Sequence, residues 1–291
     1  MTLTAAVPRA ARPPVQRVVE VVDRRPVNAY TELTLAAPEI AERAEPGQFV
    51  AFAIGGSTSA LLLRRSIALA SAGDGVVTVV VAPHGPGSTW LADLQGGERV
   101  DVIGPLGRPF PLPAPGTPAG VVGGGSGAAA LVGLAARLRD GGSRVAAITG
   151  AASADRLCSV EELSAVADTV EVTTDDGTAG RTGRVSVAFD ELIVDTGVVY
   201  ACGPMAMLRA VAEAATAAGV PSYVAVEESM ACGIGVCMTC VLPVIGDDGR
   251  TRFSRSCTEG PIFGGDRVRF ADVGTLTADV VGADAMGVLP A

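Results

Sequence analysis

Four cysteines form the clearest chemical pattern in the sequence. Cys232, Cys237 and Cys240 follow one another closely, and Cys257 comes after a hairpin-like stretch, so that the spacing is C-x4-C-x2-C-x16-C. This is the plant-type spacing in which four thiolates hold a [2Fe–2S] cluster. Three ligands on one tight loop can wrap a small cluster, and a fourth ligand from a separate segment closes the site.

Two glycines in the cysteine loop fit the same chemistry. Gly233 and Gly235 permit positive φ angles, which turn backbone amides toward the sulfur atoms, where hydrogen bonds tune the reduction potential of a cluster. The alternatives are a structural zinc site and a disulfide pair. Zinc sites usually pair two C-x2-C segments, and disulfides are typical of exported proteins. The pattern therefore favours an iron–sulfur cluster.

The composition excludes several other kinds of catalysis. Among 291 residues all 22 basic residues are arginine, and His84 is the single histidine. The lack of lysine excludes Schiff-base chemistry and the P-loop lysine, and one histidine disfavours serine–histidine catalysis. The composition therefore favours chemistry by bound cofactors over chemistry by side chains.

Charge and hydropathy constrain partners and location. The net charge of −9 argues against nucleic acid or an anionic membrane surface as the partner. No run of about 18 apolar residues occurs, and the first residues lack the apolar segment of a signal peptide. We expect residues 1–14 to be a flexible tail and the protein to be cytoplasmic.

Residues 15–115 have the periodicity of an all-β unit. Short apolar segments separated by turns rich in Gly, Pro and Asp predict an antiparallel β-barrel. The predicted strands are residues 16–22, 29–36, 48–54, 66–71, 76–82 and 99–103. A short helix at 89–94 is predicted to cap one end of this barrel.

A proline-rich joint at residues 112–118 marks a change of pattern. From 116 to 221 strands alternate with helices, which predicts a parallel α/β sheet with right-handed crossovers. The predicted strands are 120–122, 144–149, 169–174 and 198–202, and the predicted helices are 128–139, 160–166, 186–193 and 205–218. Residues 222–291 are predicted to form the cysteine module, beginning with a strand at 223–226. Its tail, 271–291, is either docked or loose.

Two turns of the predicted sheet could bind a nucleotide. Residues 123–127 (G-G-G-S-G) follow a strand and open a helix, where glycines let a phosphate approach the helix N-terminal amides. No acidic residue follows the second strand, so the usual dinucleotide fingerprint is incomplete, and close packing is the alternative. Cys202 ends the last strand of the sheet. The two turns should face one crevice, although Cys202 alone could be an ordinary buried cysteine.

Two arginines of the barrel suit a pyrophosphate. Arg64 and Arg65 lie at the start of a predicted strand, and residues 84–89 precede the short helix. An arginine beside a helix N-terminus is a sensible pyrophosphate clamp. Surface arginines without a function are the alternative.

Together these motifs resemble the ferredoxin reductase superfamily. Residues 62–68 (L-L-R-R-S-I-A) are similar to its flavin-binding L-L-R-R-P-I-S, residues 85–88 to G-x-G-T, and residues 101–107 to D-x-x-G-P-x-G. Residues 227–237 match E-E-x-M-A-C-G-x-G-x-C. Over residues 15–270 the domain order is similar to that of the electron-transfer subunits of NAD-dependent dihydroorotate dehydrogenase of the B type.

The resemblance implies a set of cofactor-binding residues. In the barrel the residues implied for FAD are Arg65, Ser66, Ile67, Ala68, Val80, Val81, Ala82, Gly87 and Ser88. In the sheet the residues implied for NAD are Gly123, Gly124, Gly125, Ser126, Gly127, Cys202, Gly203 and Pro204. Ser66 and Ala68 replace the proline and serine of the family motif, which removes one hydrogen bond worth about 1 kcal/mol. No arginine pair follows the second strand to bind a 2′-phosphate, so NAD is favoured over NADP.

The resemblance also implies a function. A partner subunit carrying FMN oxidises dihydroorotate in pyrimidine biosynthesis, and electrons pass through the [2Fe–2S] cluster and FAD to NAD⁺ in a heterotetramer. No side chain of this chain is assigned a catalytic role. The alternatives are an NAD(P)H-linked subunit of a hydrogenase or of a ferredoxin:NADP transhydrogenase, and a non-catalytic scaffold that binds zinc.

Overall fold

A computed structural model of the chain describes residues 13–56 and 59–288. The predicted tail, residues 1–14, lies outside the described residues except for its last two positions. Among the helices in these ranges, none is long and apolar enough to cross a membrane.

The N-terminal half is an antiparallel barrel. Its strands are β1 (Val15–Val27), β2 (Tyr30–Ala36), β3 (Phe49–Phe52), β4 (Arg65–Gly73), β5 (Val76–Val81) and β6 (Arg99–Leu106). They close in the order β1-β2-β5-β4-β3-β6, and the predicted strands and the predicted barrel are therefore confirmed. Alternate residues fill the interior, and Leu33, Val79 and Val102 are fully buried there.

Two short helices accompany the barrel, α1 (Pro38–Ala41) and α2 (Pro86–Ala92). Helix α2 begins three residues before the predicted start at 89, because the fixed φ of Pro86 suits the first position of a helix. The Ser88 hydroxyl accepts hydrogen bonds from the backbone amides of His84 (2.9 Å) and Gly85 (3.2 Å). The chain before the helix is thereby fixed.

The second unit is a parallel sheet covered by helices. Its parallel strands are β7 (Ala119–Gly124), β8 (Val145–Ala151), β9 (Thr169–Thr174), β10 (Arg181–Thr182), β11 (Val198–Cys202) and β12 (Ser222–Ala225). Its helices are α3 (Ala129–Asp140), α4 (Val160–Val166), α5 (Ser186–Ile193) and α6 (Met205–Ala217). The predicted parallel α/β order is confirmed. A 3-10 turn, Gly125–Ala128, precedes α3, and α3 packs on the barrel where Gly133 approaches the Ala70 carbonyl.

The cysteine module is tied to this sheet. A hairpin of β13 (Val241–Ile245) and β14 (Thr251–Arg255) follows the cysteine loop, as the sequence predicted. The next strand, β15 (Ile262–Gly264), pairs antiparallel with β12 and extends the sheet to the order β10-β9-β8-β7-β11-β12-β15. The sheet thus continues past residue 221, where the sequence placed a boundary, because β12 keeps the alternation of the α/β unit while β15 is too short to be seen in the sequence.

The C-terminal segment docks on the hairpin. Val280 and Ala283 are buried, and the amide of Val281 donates to the Thr251 carbonyl (2.9 Å). Arg269 makes ion pairs with Asp272 (2.6 Å) and with Asp279. Within this segment, 3-10 turns occur at Phe270–Asp272 and Asp284–Met286. One more 3-10 turn, Ala154–Arg156, lies in the α/β unit. The described part of the tail, residues 271–288, is therefore docked.

The barrel interior provides a stability prediction. Leu33→Ala removes a fully buried side chain and should lower the free energy of unfolding by about 2–5 kcal/mol. Leu62→Ala is the matched control, since Leu62 is 89% exposed and its loss should cost less than about 0.5 kcal/mol. The single tryptophan, Trp90, packs against the barrel core, so its fluorescence in urea reports this unfolding. Equal midpoints for the two variants would contradict the assignment of Leu33 to the core.

Candidate cofactor-binding site

A crevice of about 870 Å³ opens where the three units meet. The barrel, the carboxyl ends of the parallel strands and the residues before the cysteine loop all contribute to its walls, as expected for a ligand site in an open α/β sheet. The residues of the sequence prediction that line it are Arg65, Ser66, Ile67, Ala68, Val80, Ala82, Ser88, Gly124, Gly125, Ser126, Gly127, Cys202, Gly203 and Pro204.

Three residues predicted for the cofactors lie behind this wall. Val81 is fully buried in the barrel core, because alternate residues of β5 face opposite sides of the strand. Gly87 packs under Arg65, where a Cβ atom would lie 2.6 Å from the Arg65 Nε atom. Gly123 packs on Ala128 at the same Cβ distance, 2.6 Å. None of the three lines the crevice. The two glycines shape it, because they let Arg65 and Ala128 approach the backbone closely.

The two neighbouring arginines have different surroundings. Arg64 pairs with Asp101 (2.9 Å) and donates to the Ala51 carbonyl (3.2 Å), so it braces the barrel. Arg65 lines the crevice, and its guanidinium lies over Gly87 at the start of α2. A guanidinium beside exposed amides is a suitable clamp for a phosphate. The surroundings of Arg65 fit a pyrophosphate, and those of Arg64 do not.

The two predicted turns of the sheet contact each other. A Cβ atom on Gly127 would lie 2.6 Å from the Cys202 carbonyl oxygen, and one on Gly203 would lie 3.0 Å from Gly124. Gly125 has a φ of +53°, a region that glycine occupies without strain. The glycines therefore permit a close approach of two backbone segments, which leaves room for a ligand above them.

Cys202 is a buried thiol with a raised pKa. Burial, with a smaller effect from Glu227, raises the pKa of the Cys202 thiol to about 12. The thiol is therefore protonated at neutral pH, and only a thiolate is a good nucleophile. It supplies a small, polarizable wall of the crevice.

The cysteine loop directs backbone amides at a sulfur atom. The Cys232 sulfur accepts hydrogen bonds from the backbone amides of Ile234 (3.5 Å) and Val236 (3.4 Å). Gly233 and Gly235 have φ angles of +71° and +84°, and both turn the loop backbone. Amides directed at sulfur stabilise a negative charge on it, as a metal-bound thiolate requires.

The thiols influence one another: Cys237 has Cys232 as its neighbour, and Cys257 has both Cys240 and Cys232. A hydrogen bond from Thr239 lowers the pKa of Cys237 to about 6, whereas burial raises the pKa of Cys257 to about 12. A thiol with a pKa that high ionises when a cation binds beside it. In the described part of the chain no group of three or more His, Cys, Asp or Glu side chains could hold a metal ion. Four thiols are the donor set of a [2Fe–2S] cluster.

The cysteine loop packs directly on strands β3 and β4 of the barrel, beside the residues predicted for FAD. Cys240 and Cys257 are buried against Phe49, and a Cβ atom on Gly233 would lie 3.4 Å from the Ser66 hydroxyl. Arg255 donates to the Gly235 carbonyl (3.0 Å) and holds the loop from the other side. The predicted cluster ligands and the predicted flavin residues are therefore neighbours.

Several residues of the crevice were not predicted as site residues. Tyr30, Asp175 and Arg184 line it from loops and strand ends, where single residues give no sequence signal. Glu227 and Glu228 also line it, and they lie in the E-E-x-M-A-C-G segment that carried the resemblance. Burial raises the pKa of Glu228.

The outer face of the cysteine loop is apolar and exposed. Ile234, Val236 and Met238 are 48%, 76% and 51% exposed. They stand beside the thiols in sequence. Grouped apolar side chains on a surface are typical of protein contact sites.

Comparison with known proteins supports the same architecture. A family model for the iron-sulfur cluster binding domain of dihydroorotate dehydrogenase B matches residues 227–269. The chain is 39% identical over 238 residues to the dihydroorotate dehydrogenase B (NAD(+)) electron transfer subunit of Bacillus caldolyticus, covering 80% of this chain and 90% of the relative. It is 37% identical over 254 residues to the corresponding subunit of Geobacillus thermodenitrificans, covering 85% and 96%.

Solved structures share the fold. The NADH-dependent reduced ferredoxin-NADP oxidoreductase, a structure described for flavin-based electron bifurcation, has a TM-score of 0.78 at 28% identity and covers 88% of this chain and 91% of its own. The ferredoxin reductase of carbazole 1,9a-dioxygenase has a TM-score of 0.61 at 23% identity, covering 72% and 68%.

The closed barrel, the parallel sheet and the cysteine module define an oxidoreductase of the ferredoxin reductase type with an iron–sulfur domain. Since relatives 37–39% identical over most of the chain carry the same name, the chain belongs to the family of dihydroorotate dehydrogenase B electron transfer subunits.

The contact between the two turns provides a second prediction. Gly127→Ala places a methyl group 2.6 Å from the backbone of Cys202 and should lower the free energy of unfolding by about 1–3 kcal/mol. Gly96→Ala is the matched control, because a Cβ atom there meets nothing within 4 Å. Urea unfolding followed by circular dichroism measures both variants. A Gly127→Ala protein as stable as the control would show that the turns do not approach each other this closely.

Proposed function

We propose that this chain carries electrons from a partner flavoprotein that oxidises dihydroorotate, by way of a [2Fe–2S] cluster and FAD, to NAD⁺. The observation that carries the proposal is the contact between the cysteine loop and the barrel at Gly233 and Ser66. Electron transfer between two cofactors needs them close together, and this contact makes their proposed sites adjacent. When bound, the cluster exchanges single electrons with FAD, which exchanges a hydride with NAD.

The barrel residues have a role in binding FAD. Arg65 clamps the pyrophosphate, since its guanidinium lies above Gly87 at the edge of the crevice. The strand edge at Ser66–Ala68 faces the crevice and supplies backbone groups and one hydroxyl to the flavin. These residues position the flavin and leave the chemistry to it.

The sheet residues have a role in binding NAD. The amides of Gly124–Gly127 lie at the start of α3 and suit the diphosphate. The neutral thiol of Cys202 and the backbone of Gly203 line the part of the crevice next to this turn. A neutral thiol places no charge that would oppose the change of charge at the nicotinamide ring when NAD⁺ accepts a hydride.

Cys232, Cys237, Cys240 and Cys257 would hold the cluster as its four thiolate ligands, and Cys240 and Cys257 are the buried pair among them. The two amides that donate to Cys232 stabilise its thiolate. The Ser256 hydroxyl donates to the Cys240 carbonyl (2.9 Å) and fixes the buried pair.

The partner is a catalytic subunit that contains FMN, assembled with this chain as a heterotetramer in the cytoplasm. Support comes from the exposed apolar side chains of the cysteine loop, because burial of such groups drives protein association. A partner that docks there brings its own cofactor close to the cluster.

The second candidate is an NAD(P)H-linked subunit of a ferredoxin:NADP transhydrogenase. The observation that favours it is the TM-score of 0.78 with an NADH-dependent reduced ferredoxin-NADP oxidoreductase. The two candidates differ in the partner and in the electron donor.

One assay tests the proposal. The tagged chain is purified anaerobically from its native host together with its bound proteins, and NAD⁺ reduction is measured with dihydroorotate as the donor. Dihydroorotate-dependent NADH formation by a co-purified flavoprotein is expected. NADH formation with reduced ferredoxin alone would favour the second candidate. Absence of both flavin and cluster signals would overturn the cofactor assignment.

The ligand assignment predicts the result of a cysteine substitution. Cys240→Ser should remove the cluster, measured as iron content and visible absorption, and should keep FAD at full occupancy, because Arg65 and Ser66 are untouched. Cys158→Ser is the matched control, since Cys158 is buried in a separate core beside α4 and should retain both cofactors. Full iron content in the Cys240→Ser protein would refute this ligand set.

The proposed docking face predicts a loss of partner binding. Val236→Asp puts a charge on the face and should weaken the complex with the catalytic subunit by at least about ten-fold, measured by calorimetry. Iron and FAD contents should not change. Val18→Asp is the control, since Val18 is 54% exposed on the outside of β1. Equal affinities for both variants would place the partner elsewhere.

A further inference from the structure

The hairpin between β1 and β2 reaches from the barrel to the α/β unit. The Asn28 side-chain amide donates to the Leu157 carbonyl, the Ala29 backbone amide to the Asp155 carbonyl, and the Tyr30 hydroxyl to the Arg156 carbonyl, each at 2.9 Å. Three successive residues thus bind three neighbouring carbonyl groups.

The tip of this hairpin has a special conformation. Asn28 has a φ of +52°, a left-handed angle that asparagine tolerates better than most residues. Farther along β1, Arg25 extends the contact through an ion pair with Glu162 of α4 (2.9 Å). The hairpin is therefore a built connection between the two units.

Of the three hairpin residues, Tyr30 also reaches the glycine turn. In the described part of the chain, Asn28 and Ala29 make no such contact. Its hydroxyl lies 3.2 Å from the position of a Cβ atom on Gly125 and faces the backbone amide of Ser126. Its side chain is 9% exposed and lines the crevice. Burial raises the pKa of Tyr30, so the hydroxyl keeps the proton that it donates to Arg156.

We propose that Tyr30 is a positioning residue for the dinucleotide site. Anchored by the Arg156 carbonyl, its hydroxyl holds the Gly125–Ser126 turn at the Ser126 amide, so that the neighbouring amides of the turn are already oriented for a diphosphate. Orientation before binding lowers the entropic cost of binding and raises affinity. This inference rests on the proposed function, in which NAD lies over the glycine turn.

The test compares NAD⁺ binding in the FAD-loaded chain by isothermal titration calorimetry. Tyr30→Phe keeps the ring and removes the hydroxyl, and it should raise the Kd for NAD⁺ roughly three- to ten-fold, the effect of one neutral hydrogen bond. In the NADH oxidation assay KM should rise by the same factor while kcat stays constant. FAD occupancy should equal that of the unmodified chain.

Two control variants separate positioning from general loosening. Asn28→Gly keeps the left-handed tip and removes the bond to Leu157, so it loosens the same connection without reaching the glycine turn. Tyr223→Phe removes a hydroxyl from a ring that stacks on Tyr200 outside the crevice. Both should leave the Kd for NAD⁺ unchanged.

The outcomes are distinct. An unchanged Kd in Tyr30→Phe, or an equal rise in Asn28→Gly, would overturn the role of Tyr30 while leaving the proposed function intact. A loss of FAD from Tyr30→Phe would assign the residue to the flavin site instead and also overturn it. If the unmodified, FAD-loaded chain binds no NAD⁺, the proposed function itself fails.

Discussion

The packing of the cysteine loop on the barrel is the contact on which the rest of the structure depends. Cys240 and Cys257 are buried against Phe49, and Gly233 lies in van der Waals contact with the barrel wall, where a Cβ atom would be 3.4 Å from the Ser66 hydroxyl. The loop must also carry amides directed at sulfur, which requires positive φ angles. Glycine adopts these angles without strain, so Gly233 and Gly235 set the environment of the thiols while Gly233 lies against the barrel wall of the crevice.

The α/β unit forms the opposite wall of the crevice. Parallel strands present all their carboxyl ends at one edge of the sheet, and here that edge faces the barrel. The turns after β7 and β11 approach each other because Gly127 and Gly203 lack side chains. The barrel hairpin then fixes the edge in place through Asn28 and Tyr30. The crevice is therefore the gap between the barrel and this edge of the sheet, and several contacts hold the two in place.

The parts of the structure that depend on local patterns could be predicted from the sequence. Contacts between distant segments could not. Strand and helix periods predicted the barrel and the parallel sheet, and cysteine spacing predicted the loop, because each is set by neighbouring residues. Residue type alone does not separate the adjacent arginines, and only the family resemblance implied Arg65 for FAD: Arg64 pairs with Asp101, while Arg65 faces the crevice. Tyr30 gave no signal, since its hydrogen-bond partner Arg156 lies 126 residues away. The four cluster ligands and the cofactor-binding residues stay predictions.

The cysteine module is braced by both other units, which explains why a boundary at residue 221 does not separate it. Strand β15 extends the sheet beside β12, and the amide of Arg108, just after the barrel, donates to the Gly260 carbonyl (2.6 Å). Gly107 also packs on Pro261, where a Cβ atom would lie 2.6 Å away. A module held by two independent contacts cannot tilt without breaking one of them. Because the proposed cluster, flavin and nucleotide sites sit on the three units, this bracing keeps the distances between them fixed, as successive electron and hydride transfers require.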